Sequence, residues 1–176
     1  STVEARLLVC DSLAKEMLRP KSVLRKSLPA DGLAFLATFL GKAHLTAQMS
    51  LEIGDLNKLD KFVKISERQS LRLVSRGVVG HWVAGNVPLL AVYSWALSAL
   101  VGNRNVVRLS SRQADVISPL LAFLAEQGGV GEEMAKATFV TRFDRGDATS
   151  HAEMSRQCDV RIAWGGREAI ESIKAS

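Results

Sequence analysis

The spacing of apolar residues changes character near position 71. Before it they recur at helical intervals, first through Leu7, Leu8, Leu13, Met17 and Leu18, where Pro20 closes the pattern. A second helical stretch runs through Leu33, Phe35, Leu36, Phe39, Leu40 and Leu45, and a polar bridge, GDLNKLDKFVKISERQS, follows. Beyond Leu71 short β-branched runs alternate with longer helix-like segments. The runs at Val78 to Val83, Asn105 to Leu109, Ala137 to Arg142 and Val160 to Trp164 predict strands. Leu89 to Val101, Ser118 to Gln127, Ala148 to Gln157 and Glu168 to Ala175 predict helices. Ser118-Pro119 has the form of a cap followed by a first-turn proline, and Gly128-Gly129 that of a stop.

Strands that alternate with helices imply a parallel sheet, because parallel neighbours need a crossover connection. The predicted class is therefore α/β, a helical N-terminal segment over residues 1–60 followed by a Rossmann-like parallel-sheet domain over 61–176. Open sheets of this kind bind ligands beyond the carboxyl ends of their strands. Three places qualify: Gly85-Asn86 after the first strand, Ser110-Ser111-Arg112 after the second, and Gly165-Gly166 after the fourth. GxGxxG and GxxxxGK[ST] are both absent from the sequence, so a nucleotide would be held in another way.

The longest apolar run, Gly77 to Gly102, poses a separate question. An apolar stretch of about eighteen residues or more can span a membrane, but Gly85-Asn86-Val87-Pro88 interrupts this one with a turn. Strand, turn and buried helix is the reading that fits. Pro88 suits a first helical turn, Asn86 is placed to cap the helix, and Gly102-Asn103 would end it in the left-handed conformation.

Composition narrows the function classes. With 47% hydrophobic and 23% charged residues over 176 positions, the chain is an ordinary globular sequence long enough for a core. Cys10 and Cys158 show neither metal-ligand spacing nor a disulfide framework, which points to a reducing, cytoplasmic setting. The start mixes acids and bases, unlike a signal peptide. The net charge of +5 comes from scattered basic residues without a nucleic-acid-binding motif, so no nucleic-acid partner is expected. His81 and His151 lack metal-ligand spacing and read as packing or surface residues, and Trp164 as core or pocket wall.

Three blocks in order resemble the aldehyde dehydrogenase superfamily, and within it the LuxC-type acyl-CoA reductases. HWVAGNVPLL is similar to the Asn-containing turn before a long buried helix; GNRNVVRLSS is similar to the strand GN-x-V-V-x-K-P-S-E; VRIAWGGREAI is similar to the step F-T-G-S-x-E-x-G. The resemblance implies NADPH-dependent reduction of a fatty acyl thioester to an aldehyde through a cysteine acyl-enzyme, with NADH as a possible substitute. Asn86 then matches the oxyanion-hole asparagine, with a plain helix cap as the alternative. Arg108 matches a lysine that reaches the adenosine ribose. Ser111, beside Ser110, matches a glutamate that holds the ribose 2′-hydroxyl in NAD-preferring members. The serine removes a carboxylate that would repel a 2′-phosphate, and Arg108 and Arg112 could pair with that phosphate. Gly165 matches the glycine that admits the cofactor backbone, Gly166 replaces a frequent serine, and Glu168 matches an acid in the next helix.

The resemblance further implies a fatty acyl-CoA or an acyl-protein as partner and a homo-oligomer at full length, while the turn at 85–88 argues against a membrane span. It places the nucleophilic cysteine and the glutamate base downstream, so that the chain reads as a fragment, inactive alone, with Cys158 and Cys10 as core thiols. A non-catalytic α/β interaction module, an aldehyde dehydrogenase and an acyl-phosphate reductase remain alternatives.

Overall fold

A computed structural model describes residues 1–83, 87–111 and 114–175, without the side chains at 168, 169, 172 and 175. The fold is α/β, with a helical N-terminal part and a four-stranded parallel sheet. Helix α1, Val3–Leu18, begins where Thr2 Oγ1 accepts from the Ala5 N–H at 3.2 Å, and it ends before Pro20 as the sequence predicts. Its buried face carries Leu7, Cys10, Leu13 and Met17, the spacing of a single helical stripe. A short helix, α2 (Val23–Ser27), follows.

The predicted run from Leu33 to Leu45 is not one helix but two, α3 (Leu33–Leu40) and α4 (Lys42–Ile53). Gly41 takes φ −58° and ψ 135°, which breaks the backbone ladder between them. Asp11 Oδ1 accepts from the Lys42 N–H at 3.0 Å and so satisfies one of the bare amides at the start of α4. Both helices pack against α1, and the break lets Leu40 and Leu45 each reach full burial. The polar bridge holds a 3-10 turn, Leu56–Leu59, and a two-stranded antiparallel ribbon of β1 (Val63–Lys64) and β2 (Ser70–Leu71).

The four predicted strands form within a residue or so of their expected bounds: β3 (Val78–Trp82), β4 (Arg104–Leu109), β5 (Thr138–Arg142) and β6 (Val160–Ala163). All pair in parallel, in the order β5-β4-β3-β6. Helices α5 (Leu90–Leu100), α6 (Ser118–Gln127), α8 (Ala148–Gln157) and α9 (Arg167–Ala175) alternate with them. Gly102, with φ 86°, ends α5 as expected. Gly128, with φ 67°, stops α6, but the chain then enters a helix the periodicity did not show, α7 (Gly129–Lys136). The cap before α6 also differs from expectation. Asp115 Oδ1, not Ser118, accepts from the Ile117 and Ser118 amides at 3.1 and 2.9 Å.

Side chains alternate across the sheet. Val79, His81, Val107 and Leu109 point to the face covered by α5, α6 and the N-terminal helices; Trp82 and Arg108 point to the face that carries α8. One contiguous core joins Leu7, Leu13 and Leu45 of the first half to Trp95, Val107, Leu109 and Leu120 of the second. Each such side chain contributes about 1.5–3 kcal/mol through burial. Trp95 also donates from Nε1 to Thr138 Oγ1 at 2.9 Å, fixing α5 to β5.

Candidate functional site

The chain runs outward from β3 through β4 to β5, then crosses back and adds β6 on the other side of β3. That reversal opens a crevice beyond the carboxyl ends of β3 and β6, where open α/β sheets receive ligands. A cleft of about 530 Å³ lies there. Its walls are Phe35 and Leu36 of α3, Val87 to Leu90 leading into α5, Tyr93 of α5, and Trp164 just past β6. The lining is largely apolar, with Asp31 the charged residue among the described walls. Tyr93 stacks on Phe39 with ring centres 4.3 Å apart and meets Trp164 edge-on at 6.1 Å.

Asn86 lies outside the described residues, as do its neighbours Ala84 and Gly85. The residues that bracket it are described: Val83 is buried and Val87 is on the cleft wall. Pro88 stands two residues ahead of α5 rather than within its first turn, with its carbonyl accepting from the Ala91 N–H at 3.1 Å.

Behind the cleft, Trp164 starts a buried polar chain. Its Nε1–H donates to Ser94 Oγ at 3.0 Å, and Ser94 Oγ lies 2.7 Å from His81 Nδ1. His81 Nε2 lies 3.0 Å from Asn105 Oδ1, while Asn105 Nδ2 donates to the Asn103 carbonyl at 3.1 Å. That order assigns the proton of a neutral His81 to Nε2, leaving Nδ1 to accept from the Ser94 hydroxyl. Burial pushes the His81 pKa below its ordinary value, against the Asn105 hydrogen bond that would raise it. His81 is thus a satisfied core group, as its lack of ligand spacing suggested.

The opposite face holds a second cluster. Trp82 Nε1 donates to His151 Nδ1 at 2.9 Å, and Phe143 meets the His151 ring edge-on at 4.9 Å. Arg108 is buried beside them, its guanidinium 5.2 Å from the centre of the Phe143 ring and its Nη2 donating to the Phe143 carbonyl at 2.7 Å. Arg108 Nε and His151 Nε2 are buried donors that find no partner among the described residues. Burial lowers the pKa of both groups, and the charge of Arg108 depresses His151 further. Arg108 is therefore held beneath the surface by protein groups, with one N–H still to be satisfied.

At the end of β4, Ser110 is half-buried and Ser111 exposed. Their carbonyls accept from Arg142 Nη1 at 2.7 and 3.3 Å. Sequence reasoning missed Arg142. The signal was its position as the last residue of β5, level with Leu109, which puts it at the same carboxyl edge as the serines. Arg112 lies outside the described residues. Gly165 and Gly166 are exposed just past β6, and a Cβ added at Gly166 would meet nothing within 4 Å, so the backbone there is open to a ligand. Glu168 lies in α9, its side chain not described.

The two thiols are remote from the cleft. Cys10 is fully buried in α1, and burial pushes its pKa up to about 12. Cys158 caps α8 ahead of β6, at the amino end of the sheet, half-buried rather than wholly in the core, and burial raises its pKa as well. Among the described residues no cluster of metal-ligating side chains occurs, and no helix is long and apolar enough to cross a membrane.

Residues 10–176 match the family described as acyl-CoA reductase (LuxC). The chain is also similar to the long-chain acyl-protein thioester reductase of Aliivibrio fischeri, 27% identical over 82% of this chain and 29% of that protein. The protein of the same name from Photorhabdus luminescens is 26% identical over 68% of this chain and 25% of its own length. The chain thus matches between a quarter and a third of the length of these relatives. With the family matched over nearly every residue, and an apolar cleft at the carboxyl ends of a parallel sheet, the chain belongs to the acyl-CoA reductase (LuxC) family.

Proposed function

We propose that this chain is the cofactor-binding portion of an NADPH-dependent reductase that converts a long-chain fatty acyl thioester, presented as an acyl-CoA or on a protein, to the aldehyde. The observation that carries the reading is the cleft at the crevice between β3 and β6. Its volume of about 530 Å³ falls within the roughly 300–1,000 Å³ of ordinary ligand pockets, and its walls suit an alkyl chain. The names of the similar proteins supply the substrate class.

The carboxyl ends of β4 and β5 fit a phosphate-bearing cofactor. Arg142 is an exposed cation there, beside Ser110 and Ser111, Arg145 follows three residues later, and Arg112 is next after Ser111 in the sequence. Arginine pairs with a phosphate through two parallel N–H bonds, and Ser111 adds no competing carboxylate. Gly165 and Gly166 are exposed ahead of α9, where a Cβ at Gly166 would meet nothing within 4 Å, which leaves the start of that helix open to an anion. NADPH, when bound, supplies the hydride.

The acyl group passes from the thioester to a cysteine thiolate, releasing the donor thiol; hydride addition and protonation then release aldehyde and regenerate the cysteine. Neither Cys10 nor Cys158 is placed for this, so the nucleophile belongs to a further part of the protein. The role of Asn86 is to donate its side-chain N–H to the oxyanion that forms at each tetrahedral stage.

The test uses the full-length parent protein with NADPH and a long-chain acyl thioester. Loss of nicotinamide absorbance with matching aldehyde formation is expected, and Asn86→Ala should lower kcat by about 100- to 1,000-fold. Thioester consumption without aldehyde, or an Asn86→Ala variant with full kcat, would refute the assignment.

A further inference from the structure

Trp164 borders two spaces, not one. On one side is the cleft; on the other is a second, mostly apolar pocket of about 250 Å³ whose walls include Val79, Leu97, Val160 and Ile162. Helix α5 runs beneath both. Leu90 and Tyr93 face the cleft while Leu97, one turn further along, faces the pocket, and Ser94 stands between them. The indole crosses this stripe at Ser94. It is fixed at both ends: the Trp164 N–H continues the sheet by donating to the Trp82 carbonyl at 2.8 Å, and Nε1 donates to Ser94 Oγ at 3.0 Å. Ser94 in turn is held by His81 and, through it, by Asn105. A ring so anchored, yet with 36% of its surface exposed, is a partition rather than a core residue.

We propose that Trp164 sets the length of acyl chain the cleft accepts, and that the pocket behind it is room for the methyl end of longer chains. The inference rests on the acyl-thioester reading of the cleft. An alkyl tail entering between Phe35 and Leu89 meets the indole at the far wall. Removing the indole joins the two spaces into one apolar channel along α5. Each further methylene buried there should then raise kcat/KM about fourfold, the equivalent of about 0.8 kcal/mol. Ser94, which holds the indole at 3.0 Å, and His81 and Asn105 behind it act as positioning residues for Trp164.

The experiment measures kcat/KM in the full-length parent for a homologous series of straight-chain acyl thioesters. Trp164→Leu should move the optimum to longer chains, with the gain for long chains seen mainly in KM. Adding Leu97→Phe to that variant refills the pocket and should restore the original optimum. A merely structural role for Trp164 would lower kcat/KM by the same factor at every length, and that result overturns the proposal. Should Trp164→Leu not fold, Ser94→Ala keeps the indole but removes its acceptor; a broadened length profile supports the partition and an unchanged one overturns it. If the unmodified parent reduces no acyl thioester, the functional reading fails; if it does and the length profile ignores these substitutions, the partition alone fails.

Discussion

Replacing His81 by leucine separates two contributions of the buried polar chain, because only one of them depends on pH. His81 is fully buried and neutral, with both ring nitrogens engaged. Removing it leaves Asn105 Oδ1 without its donor, which at neutral pH costs about 1–3 kcal/mol of stability. The second contribution runs the other way. Burial lowers the folded-state pKa of His81 below its reference value of 6.5. In acid the unfolded chain therefore binds a proton that the folded chain refuses. The stability linked to the neutral ring is fully present above 6.5 and is lost as the pH falls below it, at up to about 1.4 kcal/mol per pH unit until the folded pKa is reached. By about pH 5.5 the wild type loses stability that the leucine variant keeps, up to about 1.4 kcal/mol, so the gap between them should narrow as the pH falls, by no more than that amount. Urea denaturation of both proteins between about pH 7.5 and 5.5 reads the difference directly, since the other titrating groups contribute alike to both. Stability curves that stay parallel through this interval would refute the assignment of a neutral, desolvated His81.

Arg6 donates to the Leu100 carbonyl at 2.8 Å and to the Ser1 carbonyl at 2.6 Å, so Arg6→Met should cost about 1–3 kcal/mol by leaving the end of α5 unsatisfied, measured by urea midpoint. Gly80→Ala would bring a Cβ within 2.6 Å of Trp82 Cζ3 and 2.7 Å of Cys158 Sγ, a loss of about 1–3 kcal/mol that Cys158→Ala should partly relieve in a double-mutant cycle. Strict additivity of the two changes would show that the thiol is not the obstacle. Cys10, its pKa pushed up to about 12, should react with a thiol reagent at neutral pH only on unfolding, and rapid native-state labelling at that position would contradict its burial.

Where one period dominated a segment, the sequence was sufficient. The four strands and the helices α5, α6 and α8 lie where alternation and apolar runs put them, because each buries one face or stripe against a single neighbour. Gly41 escaped notice because the apolar spacing runs through it unbroken: Leu40 and Leu45 are buried against the same helix on either side of the bend. Helix α7 escaped because it opens on glycines and carries Val130 and Met134 as its larger apolar groups. At the site, local pattern located the carboxyl-end loops but not what faces them. Arg142 comes from the neighbouring strand, Phe35 from a helix more than forty residues away from Val87, and Ser94 meets Trp164 across 70 residues. Arg108 was read as a cofactor contact and His151 as a packing or surface residue; the packing of α8 against Phe143 buries both.

The central place of β3 governs the order in which the molecule can be built. Its β4 neighbour is synthesised soon after it, but the other edge waits for β6; Asp159, just ahead of that strand, accepts from the Val78 N–H through Oδ2 across 81 residues. At translation rates of about 5–20 residues per second that edge is bare for about 4–16 seconds. For that interval the nascent chain displays an unpaired strand containing Val79, beside an apolar α5, and both are templates for pairing with the wrong chain. The yield of folded protein should therefore depend on how quickly the stretch from Arg104 to Ala163 leaves the ribosome, and slow codons within it should lower yield more than slow codons in the N-terminal helices, whose contacts with one another close over much shorter distances.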